Sequence, residues 1–255
     1  MKKNIIVLAV AISAVVSGYA MAWEANGNGG TLNIGGTLTP AENITPWEVK
    51  TGNAVTGLSI DITKGQSVVN FAVDNAIPIL GIRTAESKAF KGAPGISPQI
   101  SYGGAVNVDK FAASVAPLTL EVKNTDNAKI GSLTTNIFAQ GRTSQKGDWS
   151  GEFWNYAGQA GQIFFGGLPK STDAVSTVAR VNELMPEVAA NYISQDVADA
   201  KVNYTTVSNT TSTHNAYYFS AIEPGNNITI TLDSAAKGDE PITWKASLPI
   251  TVSYQ

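Results

Sequence analysis

The sequence predicts a mainly β chain, a β-sandwich carrying a small helical insertion, and three observations lead to it. From Val55 onward, short stretches alternate apolar and polar residues with the period of two that a half-buried strand shows. Gly, Asn, Asp and Pro separate these stretches, as turns between strands require. Charged residues make up 15 % of the chain, against roughly 25 % in ordinary globular proteins, so Gly, Thr, Ser and Asn supply the surface.

The elements follow in chain order. Met1-Lys2-Lys3 precedes an uncharged run, Ile5 to Val16, and a small-residue stretch ending Ala20-Met21-Ala22. That is the basic start, short apolar core and A-x-A cleavage site of a secretory signal peptide over residues 1–22, with the mature chain expected to begin at Trp23. The run falls short of the roughly 20 residues a membrane span needs. In Gly29 to Thr39, Leu32, Ile34 and Leu38 fall on one face of an extended strand, and Gly36 takes the fourth place on that face. Its glycine flanks suit a segment able to leave its own domain. Leu58, Ile60 and Ile62, then Leu118, Leu120 and Val122, then Ile228, Ile230 and Leu232 each predict a strand with one wet face. Ile77 to Ile82 and Ala216 to Phe219 are more continuously apolar, and the Pro and Gly of the former fit an edge or a bulge. At the C-terminus, Trp244, Ala246, Leu248, Ile250, Val252 and Tyr254 share one face, which predicts one long strand that is central or lines a groove.

One region breaks the pattern. Asp148 to Ile193 opens on an aromatic cluster and continues with Val178, Val181, Leu184, Val188 and Tyr192 at helical spacing, Pro186 dividing it into two helices. We read residues 148–193 as the helical insertion.

Composition narrows the function. Removing Lys2 and Lys3 with the leader makes a formal net charge of −3 more negative by two. With no Lys/Arg cluster, this argues against nucleic acid and anionic membranes as partners. The absence of cysteine leaves an exported domain to be stabilised by its core, its partner chains or both. His214, the single histidine, sits in the polar stretch Ser208 to Asn215 and reads as a solvated loop residue rather than a metal ligand or general base. No cofactor or metal is expected. Asp148 with Glu152, or Glu183 with Glu187, would be the carboxylate pairs of a glycosidase. The second pair, with Pro186 between, reads as a solvated face. No nucleophile elbow, metal-ligand spacing or phosphate loop accompanies them, so an enzyme is not expected.

The leader, the start at Trp23, Asn33-Ile34-Gly35-Gly36, Trp47-Glu48-Val49-Lys50 and the alternating tail ending at Tyr254 together resemble a chaperone–usher pilin. More narrowly, the chain is similar to the major subunits of the thin, flexible adhesive fimbriae of enterotoxin-producing bacteria. The resemblance implies an incomplete immunoglobulin-like β-sandwich, residues 41–255, completed by donor-strand exchange with residues 23–40 of a neighbour. It makes Leu32, Ile34, Gly36 and Leu38 the donor residues. It makes Leu248, Ile250, Val252 and Tyr254 the groove strand that faces the chaperone. The implied partners are further copies of the chain, a periplasmic chaperone, an outer-membrane usher and a host glycoconjugate receptor, on a fimbrium at the cell surface.

For the receptor, Trp149, Glu152, Trp154, Asn155 and Tyr156 are the candidates. Aromatic faces stack on sugar C–H surfaces while Glu152 and Asn155 take hydroxyl hydrogen bonds. Adjacent Phe153 and Trp154 cannot share one face of a regular strand, so at least one of them is expected to be exposed. Two other readings stay open: a purely structural pilin whose adhesion lies in another subunit, and a secreted carbohydrate-binding sandwich that does not polymerise.

Overall fold

The computed structural model describes residues 34–37, 45–238 and 240–255. Residues 1–43 and 44–255 separate as two units, and every described strand lies in the second. In chain order the strands are β1 (Trp47–Thr51), β2 (Val68–Ala72), β3 (Ile77–Thr84), β4 (Phe90–Lys91), β5 (Pro98–Ser101), β6 (Val115–Lys123), β7 (Lys129–Lys146) and β8 (Gly151–Asn155). A single helical turn, α1 (Val181–Leu184), is followed by β9 (Asp199–Asn203), β10 (Thr213–Ile222), β11 (Asn227–Leu232), β12 (Lys245–Ala246) and β13 (Thr251–Tyr254).

The 18-residue β7 organises the second unit. Its first half pairs with β6 on one flank and β11 on the other, since Leu133 faces both Leu120 and Ile230. Its second half pairs with β8 and β10, since Arg142 faces both Trp154 and Tyr217. Two arms result, β1-β3-β10-β7-β8-β9 and β2-β11-β7-β6-β12, and a separate pair joins β5 to β13. Inward residues of both arms, among them Leu80, Ile82 and Tyr218 from one and Phe71, Leu118 and Ile230 from the other, meet in one apolar cluster. That is the predicted sandwich.

The first arm is also covered on its outer face. Tyr217, Phe219 and Ala221 alternate with the inward residues of β10 and pack with Phe138, Trp154, Val181, Leu184, Met185 and Val188 in a second cluster. Both faces of β10 are therefore buried, which is why its sequence is apolar without alternation.

The structure departs from several expectations. Leu58 to Ile62 forms no strand; Leu58 and Ile62 touch the core while Ile60 is exposed. Residues 148–193 are not helical from their start, because Gly151–Asn155 is a strand of the main sheet. The helical spacing does pick out the buried side chains Val181, Leu184 and Val188, but the helix is one turn long and Val178 is 66 % exposed. Met185 leaves helical geometry with φ −159°, and Pro186, lacking an N–H, starts a separate 3₁₀ turn to Ala189. Pro78 lies in β3 beside a register shift, as the bulge expectation requires, though β3 is a central strand between β1 and β10.

Candidate functional site

Two sets of residues were singled out for function, the strand-exchange elements and the aromatic segment. For the first, the C-terminal row is the informative part. Trp244, Ala246, Leu248, Ile250, Val252 and Tyr254 are all half-buried against the core, and Lys245, Ser247, Pro249, Thr251 and Ser253 between them are exposed. The alternation is kept over eleven residues, but the strand is not one piece. Lys245 and Ala246 pair with Lys123 and Val122 of β6, and Thr251 to Tyr254 pair with β5. The break falls at Pro249, which has no N–H for a ladder and packs against Gly103. Each piece has one partner strand among the described residues, so its other edge carries unpaired backbone groups. Residues that pack on a core yet stay half-exposed are what a sandwich shows where one strand of cover is lacking.

Of the residues expected to form the donor strand, Leu32 and Leu38 lie outside the described residues. Ile34 and Gly36 lie within a stretch without regular structure, and Ile34 is 88 % exposed.

The aromatic segment is spread over three environments. Trp154 is buried in the outer cluster, and the Arg142 guanidinium lies over its ring at 4.5 Å. Arg142 donates to Glu152 at 2.7 Å and reaches Asp199 at 3.4 Å. Tyr192 donates its hydroxyl to the other Glu152 oxygen at 2.9 Å. Burial disfavours the Arg142 charge, but the hydrogen bond and the charge of Glu152 outweigh it and raise its pKa. Burial first, and then the Glu152 charge, raise the Tyr192 pKa, so that hydroxyl stays a donor. Glu152 is thus committed to an internal ion-pair network. Asn155 is buried and accepts from the Thr143 hydroxyl at 2.9 Å.

Trp149 and Tyr156 remain at the surface, at opposite ends of β8. Trp149 is 41 % exposed; one side of its indole lies on Gly151 and the ring packs on Phe153 at 5.5 Å between centroids. A Cβ at Gly151 would come within 2.5 Å of that indole, so the glycine is what lets the ring lie there. The loop is pinned by Asp148, which accepts from the Thr211 hydroxyl at 2.6 Å; this bond and one from Asn209 hold its carboxyl below the usual range. Tyr156 is half-buried and meets Tyr204 edge-to-face at 5.5 Å. Seven residues of extended chain span roughly 23 Å, so Trp149 and Tyr156 do not make one site.

Tyr204, 47 % exposed, is missing from the sequence reading. The parallel pairing of β8 with β9 sets Asn155 beside Asn203 and so brings Tyr204 to Tyr156. No local pattern announces a pairing 48 residues apart. The expected exposure of Phe153 or Trp154 is overturned as well. The strand does send them to opposite faces, but both faces of this arm are covered, one by the sandwich and one by the α1 region. His214 is likewise not a loop residue: it lies in β10 with no exposed surface and its ring against Phe90.

Two surface clefts hold none of the predicted residues. One of about 540 Å³ lies between β1, β3 and the 3₁₀ turn, floored by Gly81 and Met185 and rimmed by the ion pairs Glu48–Arg83 and Lys50–Glu187. Another, about 450 Å³, is lined by Thr119, Thr134, Asn136, Asn227 and neighbours on the outer face of β6, β7 and β11. Among the described residues no three His, Asp or Glu side chains converge as a metal site would need.

Residues 1–255 match the family model described as "Fimbrial, major and minor subunit". The chain is 28 % identical over 285 aligned positions to "K88 fimbrial protein AC" of Escherichia coli, covering 100 % of both chains. It is 29 % identical to "K88 fimbrial protein AD" and 29 % identical to "F41 fimbrial protein", both of Escherichia coli and both covered along their whole length.

Proposed function

The chain belongs to the K88-type family of major and minor fimbrial subunits, and on that premise we propose that it polymerises by donor-strand exchange and attaches the fibre to host glycans. As a member of that family it is a structural subunit of a surface fimbrium and assembles with other subunits. The observation that supports strand exchange is the half-buried row Trp244 to Tyr254, whose outer edge has no partner strand among the described residues. Leu32, Ile34, Gly36 and Leu38 of a second copy lie along that row. Burying the three aliphatic side chains contributes roughly 1.5–3 kcal/mol each. A full set of strand hydrogen bonds forms at the same time. Before assembly, a periplasmic chaperone covers Leu248, Ile250, Val252 and Tyr254, and an outer-membrane usher exchanges it for the next subunit. Export by the leader at residues 1–22 precedes both steps.

Glycan contact falls to Trp149 at one end of β8 and to Tyr156 with Tyr204 at the other, where aromatic faces reach solvent. Glu152, Trp154 and Asn155 hold the interior and support those surfaces. Repetition along a fibre sums weak contacts into firm attachment.

Deletion of residues 23–39 tests the first step. The truncated chain, expressed with chaperone and usher, is expected to bind chaperone and to form no fibres visible by electron microscopy. Normal fibres from the truncated chain would refute strand exchange through this segment.

A further inference from the structure

His214 is fully buried in β10, between Gln145 of β7 and Phe90 of β4, with the Phe90 ring 5.8 Å from its own between centroids. Neither imidazole nitrogen has a hydrogen-bond partner among the described residues, and the buried hydroxyl of Ser212, two residues earlier, has none either. An unpaired polar group away from water is costly when neutral and far more costly when charged. The elements around the imidazole offer no opposite charge. Gln145 and Phe90 are uncharged, and residues 205–212 carry no ionisable side chain. Lys91 and Lys146 pair with Thr213, and Arg142 pairs with Tyr217, so all three point to the opposite face.

On one side the imidazole is closed in by a slight cover, β4 together with residues 205–212. β4 has two residues and pairs only with β10. Just beyond it, Gly92 donates to the Ser212 carbonyl and Ala93 to the Val207 carbonyl, each at 3.0 Å. A Cβ on Gly92 would fall 2.1 Å from the Asn209 carbonyl oxygen, so the two backbones touch there and move together. The Thr205 hydroxyl donates to Gln145 at 2.9 Å, which sets the start of the loop at the imidazole's end of the sheet. Val207 takes φ +48°, a left-handed conformation that strains a β-branched residue. The other walls are the long strands β3 and β7, so this cover is the one that opens at least cost. It also holds the Trp149 loop, because Thr211 and Asn209 donate to Asp148 at 2.6 and 3.4 Å.

We propose that His214 is a proton-operated latch: on taking up a proton it displaces β4 and residues 205–212 and releases the Asp148–Trp149 loop that they hold, with the rest of the sandwich intact. With the cover open the imidazole is hydrated and titrates at its ordinary 6.5; with the cover closed, burial holds it at about 4. Opening is therefore favoured as pH falls through 6.5, and the gain saturates below 4. The bonds from Thr211 and Asn209 keep the Asp148 carboxyl below its usual range, so Asp148 stays charged while His214 responds. The loop is then freed by the departure of Thr211 rather than by protonation of Asp148. Loss of glycan contact in acid rests on the proposed role of Trp149; the latch itself does not.

Hydrogen exchange in intact fibres of the full-length chain tests the latch, compared at about pH 7.5 and about pH 5 and corrected for the intrinsic pH dependence of exchange. Opening at the amides of Gly92, Ala93 and Ser212 is expected to rise roughly thirtyfold at the lower pH, from the difference between the two titration points, and to reverse on neutralisation. The amides of β3 and β7 should not change. His214→Leu should remove the rise, and His214→Phe repeats the test if the leucine variant assembles no fibres. An equal rise in these variants, or a rise shared by β3 and β7, would overturn the latch. Trp149 emission, isolated by difference from Trp149→Phe, should move to longer wavelength in acid, and should already have moved at neutral pH in Thr211→Val. Emission unchanged by acid in the parent would overturn the release of the loop. Binding of fibres to epithelial glycans is the separate reading. Acid opening with unchanged binding would leave the latch standing and refute Trp149 as the contact.

Discussion

His214 shows how far one residue's chemistry depends on what surrounds it. Its polar neighbours Ser208 to Thr213 suggest solvent, yet β10 begins at Thr213 and turns the imidazole inward, in phase with Ala216 and Tyr218. Neither ring nitrogen has a hydrogen-bond partner among the described residues. Burial lowers its pKa from the ordinary 6.5 to about 4. The unfolded chain therefore takes up the proton first as pH falls. Stability should be complete above pH 6.5, decline between 6.5 and 4, and change no further from this group below 4. The loss amounts to roughly 3 kcal/mol. Urea unfolding of donor-complemented subunit at several pH values checks this, and His214→Leu should flatten that window. An equal slope in the variant would assign the acid sensitivity to carboxylates.

At the scale of the element, β8 separates the residues that hold the fold from those that face outward. Within one strand of five residues, Phe153 faces the sandwich, Trp154 faces the outer cluster, and the flanking Trp149 and Tyr156 reach solvent. Trp154→Ala removes a large buried ring and the surface beneath Arg142, and should cost about 3–5 kcal/mol, read as a lowered melting temperature. Trp149→Ala should change stability by about 1 kcal/mol or less and leave assembly normal, while reducing binding of intact fibres to epithelial glycans. Full glycan binding by Trp149→Ala and by a Tyr156→Ala/Tyr204→Ala variant would place adhesion elsewhere on the fibre. The C-terminal segment teaches the complementary lesson. Its alternation is kept from Trp244 to Tyr254, but Pro249 breaks its ladder and sends its two pieces to different neighbours.

For the whole molecule, the proposed strand exchange would tie stability to assembly through the row at the C-terminus. The sandwich has no disulfide to hold it, since the chain has no cysteine. Trp244 to Tyr254 pack on its core while staying half-exposed. Linking a copy of residues 31–39 after Gln255 should supply the strand in cis and raise the melting temperature of chaperone-free subunit by several degrees, since each kcal/mol is worth about 2–4 °C in a domain of this size. A fusion that melts with the unmodified subunit would show that no strand of cover is lacking.

The sequence by itself determined the β class, the inward faces of the alternating strands around Leu118 to Val122 and Ile228 to Leu232, and the family. These follow from local periodicity and from motifs at both ends, which need no knowledge of neighbours. Its periodicity also marked Val181, Leu184 and Val188 as buried, though not how short their helix is. Only the tertiary structure decided that Gly151–Asn155 joins the main sheet, that both its faces are covered and that Tyr204 stands beside Tyr156. The same holds for the burial of His214 and for the pieces into which the last strand divides. Each depends on which strands pair across tens of residues, and such pairing is chosen by the shared core rather than by any single segment.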